Sequence, residues 1–208
     1  MKNYKELIKS FTKEDYESGK VNLHIHTTYS DGKAKFADIV AQGKFLKGIS
    51  VSDHNTIQGY LENEISENMI PAVEFDVWCG YVFMHLLAYG IDVNSAELMP
   101  FLAKSKRDTE MDLVRIFAKR NLKKLIEAVH NCGGIAVLAH PACCWAFNHE
   151  KFIKKLTDIG LDGLEVYYPY KRHRGIIKFT SSENIERIAN KFNLIKTGGT
   201  DLHEKSLI

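Results

Sequence analysis

The chain has 208 residues, of which 45% are hydrophobic and 26% charged, with a net charge of +2. This composition is ordinary for one globular domain, and so small a charge gives no support for a role in binding long nucleic acids or membranes. No segment approaches the roughly 18 apolar residues that span a bilayer, and the polar residues 1–20 do not resemble a secretory signal. The four cysteines form no C-x-x-C pair, which favours a reducing, cytoplasmic location.

Short apolar runs of β type alternate with amphipathic helical stretches along the chain. Strands are predicted at 21–26, 48–54, 69–76, 81–90, 135–140, 163–168 and 194–199. The third and fourth are close enough to form a hairpin. Helices are predicted at 36–47, 148–158 and 182–192, and the segment 95–131 is helical in character. This alternation predicts a single α/β domain over residues 1–208 with a mostly parallel sheet, and about seven strands favour a small, irregular barrel.

Histidines and carboxylates occur at or just beyond the carboxyl ends of most of these predicted strands. The set is His24, His26, Asp31, His54, Glu74, His85, His140, Asp201 and His203. Barrels and open α/β sheets gather their active-site residues at this end of the strands. His24 and His26 also share one face of their strand, because side chains alternate with period two.

Six imidazoles and three carboxylates at one rim predict a cluster of divalent cations. Nitrogen and carboxylate oxygen without thiolate favour Zn²⁺, Mn²⁺ or Fe²⁺ over Ca²⁺ or Mg²⁺. Nine ligands with one bridging carboxylate would serve three ions. Their charge, reduced by three carboxylates and a bridging hydroxide, would remain positive and attract an anionic substrate such as a phosphate. His85 has an alternative role as a buried, hydrogen-bonded core residue.

The ordered motifs HIHTTYSDG, SDHNT, EF, AHP, GLEVYYP and GGTDLH resemble the PHP (polymerase and histidinol phosphatase) family, and most closely its stand-alone metal-dependent phosphoesterases. The matching blocks cover residues 21–203. The resemblance implies a distorted (β/α)7 barrel, similar to a TIM barrel, with a trinuclear metal centre. It also implies that relatives have a larger helical insertion at the position of residues 91–120, whereas this chain has only a short one.

The same resemblance implies how the ligands divide among the ions. His24, His26, Glu74 and Asp201 would hold the first ion. Asp31, His54 and His203 would hold the second, and Glu74, as a bridge, would hold the third with His85 and His140. A metal-bridging hydroxide would then attack a small phosphate ester, such as a nucleotide or a phosphorylated metabolite.

Further residues are candidates for catalysis or substrate contact. His173 and Arg172 could assist the leaving oxygen, and Arg174 could join them in a phosphate clamp, although such a basic loop is also often only solvated. Asp53 could accept a hydrogen bond from a ligand imidazole. Glu165 could contact the substrate, or instead bond to a ligand or to backbone.

Three other functions stay open. One is a histidinol-phosphate phosphatase, and a second is an amidohydrolase-type hydrolase of C–N or C–O bonds. Amidohydrolase barrels also begin with H-x-H but typically bridge two metals through a modified lysine, whereas Glu74 lies in a segment without lysine. The third is a non-catalytic PHP module, which the retention of all nine ligands disfavours.

Overall fold

A computed structural model describes residues 2–169 and 178–207. Two short helices, α1 (Tyr4–Ser10) and α2 (Lys13–Glu17), precede β1 (Val21–Asn22). Then follow α3 (Phe36–Gly43), β2 (Gly48–Ile49), α4 (Gln58–Glu62), β3 (Ala72–Cys79) and β4 (Val82–Tyr89). The second half contains α7 (Leu122–Asn131), β5 (Ile135–Leu138), α8 (His149–Thr157), β6 (Gly163–Tyr167), α9 (Ser182–Lys191) and β7 (Ile195–Gly198).

The strands form a two-stranded parallel sheet, β1–β2, and a five-stranded sheet in the order β3–β4–β5–β6–β7. The predicted hairpin is confirmed, since β3 and β4 pair antiparallel from Ala72↔Tyr89 to Cys79↔Val82. The sheet is mixed rather than mostly parallel, because β4 also pairs antiparallel with β5 whereas β5–β6 and β6–β7 are parallel. The α/β class and the alternating order agree with the sequence prediction.

Isolated backbone pairings extend beyond the strands at both edges of the larger sheet. On one side Ile25 pairs with Leu202, and Leu23 donates its amide to Gly198 at 3.2 Å. On the other side Ile49 pairs with Met69. The first two strands are shorter than predicted because, after Asn22 and Ile49, the chain pairs only at single residues. Those stretches are the ones that carry the histidines of the first two motifs.

Both faces of the larger sheet are buried. Val73 and Phe75 face a core cluster that includes Leu125 of α7, Ile153 of α8 and Ile185 of α9. Because side chains alternate along a strand, Ala72 faces the opposite side, in a cluster with α1. The next side chains on that second face of β3 are Glu74 and Asp76, both with 0% exposure. A polar site therefore begins where the apolar packing of this face ends.

The segment 91–121 is broken into short pieces rather than one long helix. It contains a 3₁₀ helix (Ala96–Phe101), α5 (Arg107–Glu110) and α6 (Asp112–Arg115). Pro100 lies inside the first piece, where it cannot donate a backbone hydrogen bond. The indole of Trp78 donates to Ile116 O at 2.7 Å, and Arg120 donates to Asp76 O at 2.9 Å. These bonds fasten the segment to the end of β3.

Across the described part of the chain, every helix is too short or too polar to cross a membrane.

Candidate metal centre

Glu74 lies at the centre of a network of imidazoles. Its Oε2 lies 3.3 Å from His24 Nε2, 3.2 Å from His26 Nε2 and 3.4 Å from His54 Nε2. Its Oε1 lies 3.2 Å from His85 Nδ1 and 3.6 Å from His140 Nε2. Both oxygens are buried, yet neither has a hydrogen-bond partner among the described residues. A buried carboxylate without such partners is costly unless a cation compensates it.

The first group of atoms has the spacing of ligands around one ion. The Nε2 atoms of His24 and His26 face each other at 3.1 Å. Asp201 Oδ1 lies 3.4 Å and 3.2 Å from them, respectively. Ligands about 2.0–2.1 Å from a tetrahedral zinc ion are separated by about 3.3 Å. The donor atoms of His24, His26 and Glu74 all lie within 4.8 Å of one another and could hold one cation, and Asp201 lies beside both imidazoles.

A second group gathers around Asp31. Its Oδ1 lies 3.3 Å from His203 Nε2, and its Oδ2 lies 3.7 Å from His54 Nε2. His26 also approaches Asp31, with Nδ1 at 3.7 Å from Oδ1. Ligand atoms from His26, Asp31, His54 and His203 all lie within 4.8 Å of one another, and the same holds for Glu74, His85 and His140. All nine residues singled out from the sequence thus lie in one contiguous cluster.

Two buried carboxylates lie on the outer side of these imidazoles. Asp76 Oδ1 is 3.2 Å from His85 Nε2 and 3.6 Å from His54 Nδ1. Glu165 Oε1 is 2.8 Å from His24 Nδ1, and its Oε2 accepts a hydrogen bond from the His140 amide at 2.8 Å. Carboxylates at the outer nitrogen fix the orientation of ligand histidines and raise their basicity. The geometry of Glu165 supports this orienting role rather than substrate contact.

Asp53 has a different partner from the one predicted. Its carboxylate accepts hydrogen bonds from the Thr27 amide at 2.7 Å, the Thr27 hydroxyl at 2.6 Å and the Ser30 hydroxyl at 2.6 Å. Ser30 Oγ in turn lies 3.5 Å from His26 Nδ1. Asp53 therefore organises the loop after the H-x-H motif and reaches an imidazole only through Ser30.

Two residues of the cluster have a left-handed backbone. His140 has φ 29° and Asp201 has φ 48°, a region that residues other than glycine adopt infrequently. At His140 the conformation is supported by the amide hydrogen bond to Glu165. Such strain persists where surrounding contacts determine it, and it concentrates at functional sites.

The carboxylates and imidazoles of the cluster shift one another's pKa values. Burial acts to raise the pKa of Glu74, but the surrounding imidazoles, His24 foremost, outweigh it and hold that pKa well below its ordinary value. Burial acts to lower the pKa of His85, but Glu74 and Asp76 outweigh it and raise the pKa to about 10. For His26, carboxylates overcome burial in the same way and raise the pKa to about 9. For His54 burial prevails, and its pKa is lowered.

Sequence reasoning missed Asp76 and Arg115. Asp76 follows Glu74 by two residues, so the period of the strand could have placed it on the same face. No sequence pattern marked Arg115, because it lies in the irregular segment 91–121. The fold of that segment brings its side chain to the site. Its side chain is 5% exposed, and it donates to Asp31 Oδ2 at 2.7 Å. The predicted Arg172, His173 and Arg174 lie outside the described residues.

Several solved structures share this fold. A candidate metal-dependent phosphoesterase from Bifidobacterium adolescentis matches with a TM-score of 0.68 and 20% identity, over 88% of this chain and 87% of that one. An amidohydrolase from Chromobacterium violaceum, with bound sulfate and no metal, matches with a TM-score of 0.70 and 17% identity, over 89% and 88%. A two-domain protein from Bacteroides vulgatus, containing a predicted PHP-like metal-dependent phosphoesterase, matches with a TM-score of 0.55 and 14% identity, over 88% and 52%.

The likeness to these structures is one of fold, and it agrees with the α/β fold expected from the motifs. No family model matches the chain. In sequence, the chain is 26% identical over 194 residues to the uncharacterized protein MJ1587 of Methanocaldococcus jannaschii, covering 83% of this chain and 95% of that protein. A second uncharacterized protein of the same organism, MJ1295, is 23% identical over 190 residues.

Proposed function

We propose that the protein is a metal-dependent phosphoesterase that hydrolyses a small phosphate ester. The observation that carries the proposal is the buried Glu74 carboxylate. Its two oxygens have no hydrogen-bond partner within residues 2–169 and 178–207, and they face two different groups of imidazoles. A carboxylate in this position fits a bridge between cations. Both the candidate phosphoesterase and the PHP-like protein among the structural neighbours support the choice of phosphate chemistry.

We assign three ions to the site. His24, His26, Glu74 and Asp201 would hold the first; Asp31, His54 and His203 the second; and Glu74, His85 and His140 the third. Bound ions of Zn, Mn or Fe would supply Lewis-acid polarisation of the phosphoryl oxygens and activation of water at neutral pH. The protein's own part is to hold the imidazoles through Asp76 and Glu165, and to keep the site compact.

The charge of the site supports an anionic substrate. Among the described residues, five carboxylates lie in or directly behind the cluster, namely Asp31, Glu74, Asp76, Glu165 and Asp201, against the guanidinium of Arg115. With neutral imidazoles this leaves four negative charges, and three divalent cations with one hydroxide would convert them to one positive charge. That surplus would attract a phosphate anion.

We also propose that the strands close into a distorted seven-stranded barrel. The pairings of Ile25 with Leu202, Ile49 with Met69 and His54 with Glu74 support it, because they join β1 and β2 to opposite edges of the larger sheet. Closure of this kind would place Asp201, which follows β7, beside His24, which follows β1.

An amidohydrolase is the second candidate, because the Chromobacterium violaceum neighbour is one. The distinguishing feature is the bridging group. Amidohydrolases of the lysine-bridged type need a lysine in the position of Glu74, and β3 contains none. Glu74 therefore favours phosphate ester hydrolysis.

The test is a substrate panel on protein loaded separately with Mn²⁺, Fe²⁺ or Zn²⁺. It would contain histidinol phosphate, nucleoside phosphates, simple alkyl and aryl phosphates, lactones and N-acyl compounds. We expect phosphate release that a chelator abolishes. His85→Gln should lower the rate of release strongly, whereas His130→Gln, a change at a surface histidine, should leave it unchanged. Cleavage of a lactone or amide without any phosphate release would establish the amidohydrolase instead. No metal uptake and no reaction would indicate a non-catalytic module.

A further inference from the structure

An aromatic cavity adjoins the metal-ligand cluster. It has a volume of about 520 Å³, within the range of small-molecule sites. His85 and His140 of the cluster form part of its wall, and Trp78, Phe83 and Trp145 form another part. Larger cavities of about 610 and 590 Å³ lie elsewhere, but none of the nine predicted ligands is among the described residues of their walls. Of these three cavities, the aromatic one is therefore placed to hold the organic part of a substrate.

Strand register places the aromatic side chains directly beyond the metal ligands. In the β3–β4 hairpin Asp76 pairs with His85, and two residues further Trp78 pairs with Phe83. Both pairs lie on one face of the hairpin, because side chains alternate with period two. A step of two residues corresponds to about 7 Å along the strands. The indole and the phenyl ring thus form the rim of the site at a fixed, short distance from the ligands.

The rings are in contact and held in place. Phe83 lies 5.4 Å from the His85 ring, edge to face, and 5.2 Å from Trp78 between centroids. The Trp78 indole donates its N–H to Ile116 O, which fixes the plane of the ring. Even so, Trp78 is 40% exposed and Trp145 is 70% exposed. Aromatic surface left open beside a polar site is typical of a ligand contact.

The charged side chains in the cavity wall limit which charged groups a ligand can carry on its ring. Among the described residues, Asp76 and Asp112 line the cavity beside Arg115. That guanidinium already pairs with Asp31 and Asp112. A second anionic group placed against this part of the wall would therefore meet two carboxylates.

We propose that the organic part of the substrate is an uncharged aromatic ring, joined to phosphorus through the ester oxygen and no more than one or two carbons, and bound against Trp78, Phe83 and Trp145. This inference rests on the proposed phosphoesterase function. The short link follows from the step of about 7 Å between the ligand level and the rim.

The test compares two phosphonates that differ only in aromaticity. Benzylphosphonate and cyclohexylmethylphosphonate are titrated calorimetrically into the metal-loaded protein, with methylphosphonate as a probe of the anion site alone. We expect benzylphosphonate to bind about two- to tenfold more tightly than its saturated analogue, as aromatic pair interactions predict. A carboxylate at the para position of the ring should weaken binding.

Trp78→Leu should lower the ratio of the two affinities towards one while methylphosphonate binding persists, which shows that the anion site is intact. Phe45→Leu is the matched control, because Phe45 is 96% exposed and lies outside the cavity; it should retain the parent ratio. A ratio of one in the parent protein, or an unchanged ratio in Trp78→Leu, would overturn the inference.

Turnover of benzyl phosphate separates this inference from the proposed function. Aromatic preference in phosphonate binding without hydrolysis of any phosphate ester would establish the aromatic binding site but reject the phosphoesterase, and with it the assignment of the ring to a phosphate-ester substrate. Hydrolysis of phosphate esters without aromatic preference would support the phosphoesterase and reject the aromatic binding site. If the metal-loaded protein binds none of the phosphonates, both are rejected.

Discussion

Asp76 Oδ1 lies 3.2 Å from His85 Nε2, on the side of the imidazole opposite the nitrogen that faces Glu74. The same oxygen lies 3.6 Å from the outer nitrogen of His54. The side-chain amide of Asn55 donates to the other oxygen of Asp76 and holds the carboxylate in place. One carboxylate thus lies beside two predicted ligands that the proposal assigns to different ions.

Asp76→Asn should weaken metal binding while leaving every proposed ligand in place. The amide would lose the negative charge behind both imidazoles, so we expect affinity to fall about 10–100-fold, as for other partners of metal-bound histidines. Competition with a chromophoric chelator measures this directly. Asp38→Asn, an exposed change on α3, is the control. Unaltered affinity with reduced thermal stability would show that Asp76 serves only packing.

Glu165→Gln separates the two roles that the sequence left open for this residue. The buried carboxylate contacts His24 and the His140 amide, so we expect weaker metal binding, measured by the same competition. At saturating metal, KM for a phosphate ester should stay near that of the parent. A raised KM with parent-like metal affinity would instead assign Glu165 to substrate contact.

Asp53→Ala should destabilise the fold. The side chain is 2% exposed and accepts three hydrogen bonds from Thr27 and Ser30. Removing a charged acceptor leaves these donors unsatisfied, so the free energy of unfolding should fall by roughly 2–4 kcal/mol. Urea unfolding of metal-free protein provides the measurement, with Asp38→Ala as the exposed control. A loss below roughly 1 kcal/mol would mean that water replaces the carboxylate.

The carboxylate of Asp162 should make stability depend on pH. Burial acts to raise its pKa, but hydrogen bonds from the Ala136 amide, Lys5 and His130 outweigh burial and lower the pKa. A lowered folded-state pKa stabilises the protein above the unfolded value of about 3.9, and this stabilisation is lost as pH falls through the folded-state value.

Asp162→Asn should therefore lower the melting temperature of metal-free protein most near neutral pH. The difference from the parent should shrink below about pH 4, where the parent carboxylate also begins to take up its proton. Asp158→Asn, which alters a carboxylate that is 57% exposed, should show a smaller difference at every pH. A difference for Asp162→Asn that grows on acidification would contradict the assignment.

Most of the nine candidate ligands could be predicted because they follow strand ends, which are visible as the limits of apolar runs. Glu74 and His85 differ, because they lie within β3 and β4. Asp76 could have been found by the same period-two argument that joined His24 to His26. Arg115 could not, because the segment around it has no regular periodicity. The short lengths of β1 and β2 also escaped prediction, since residues beyond Asn22 and Ile49 keep a β-like composition while pairing only at isolated positions.

The most direct test of the central claim is elemental analysis of the purified protein and of Glu74→Gln, after reconstitution with Mn, Fe or Zn and removal of free metal. The proposed centre predicts two to three ions per parent chain, fewer in the variant, and loss of phosphate ester hydrolysis with them, because Glu74 lies between the two groups of imidazoles. Equal metal content in both proteins, or no metal in either, would contradict a centre bridged by Glu74.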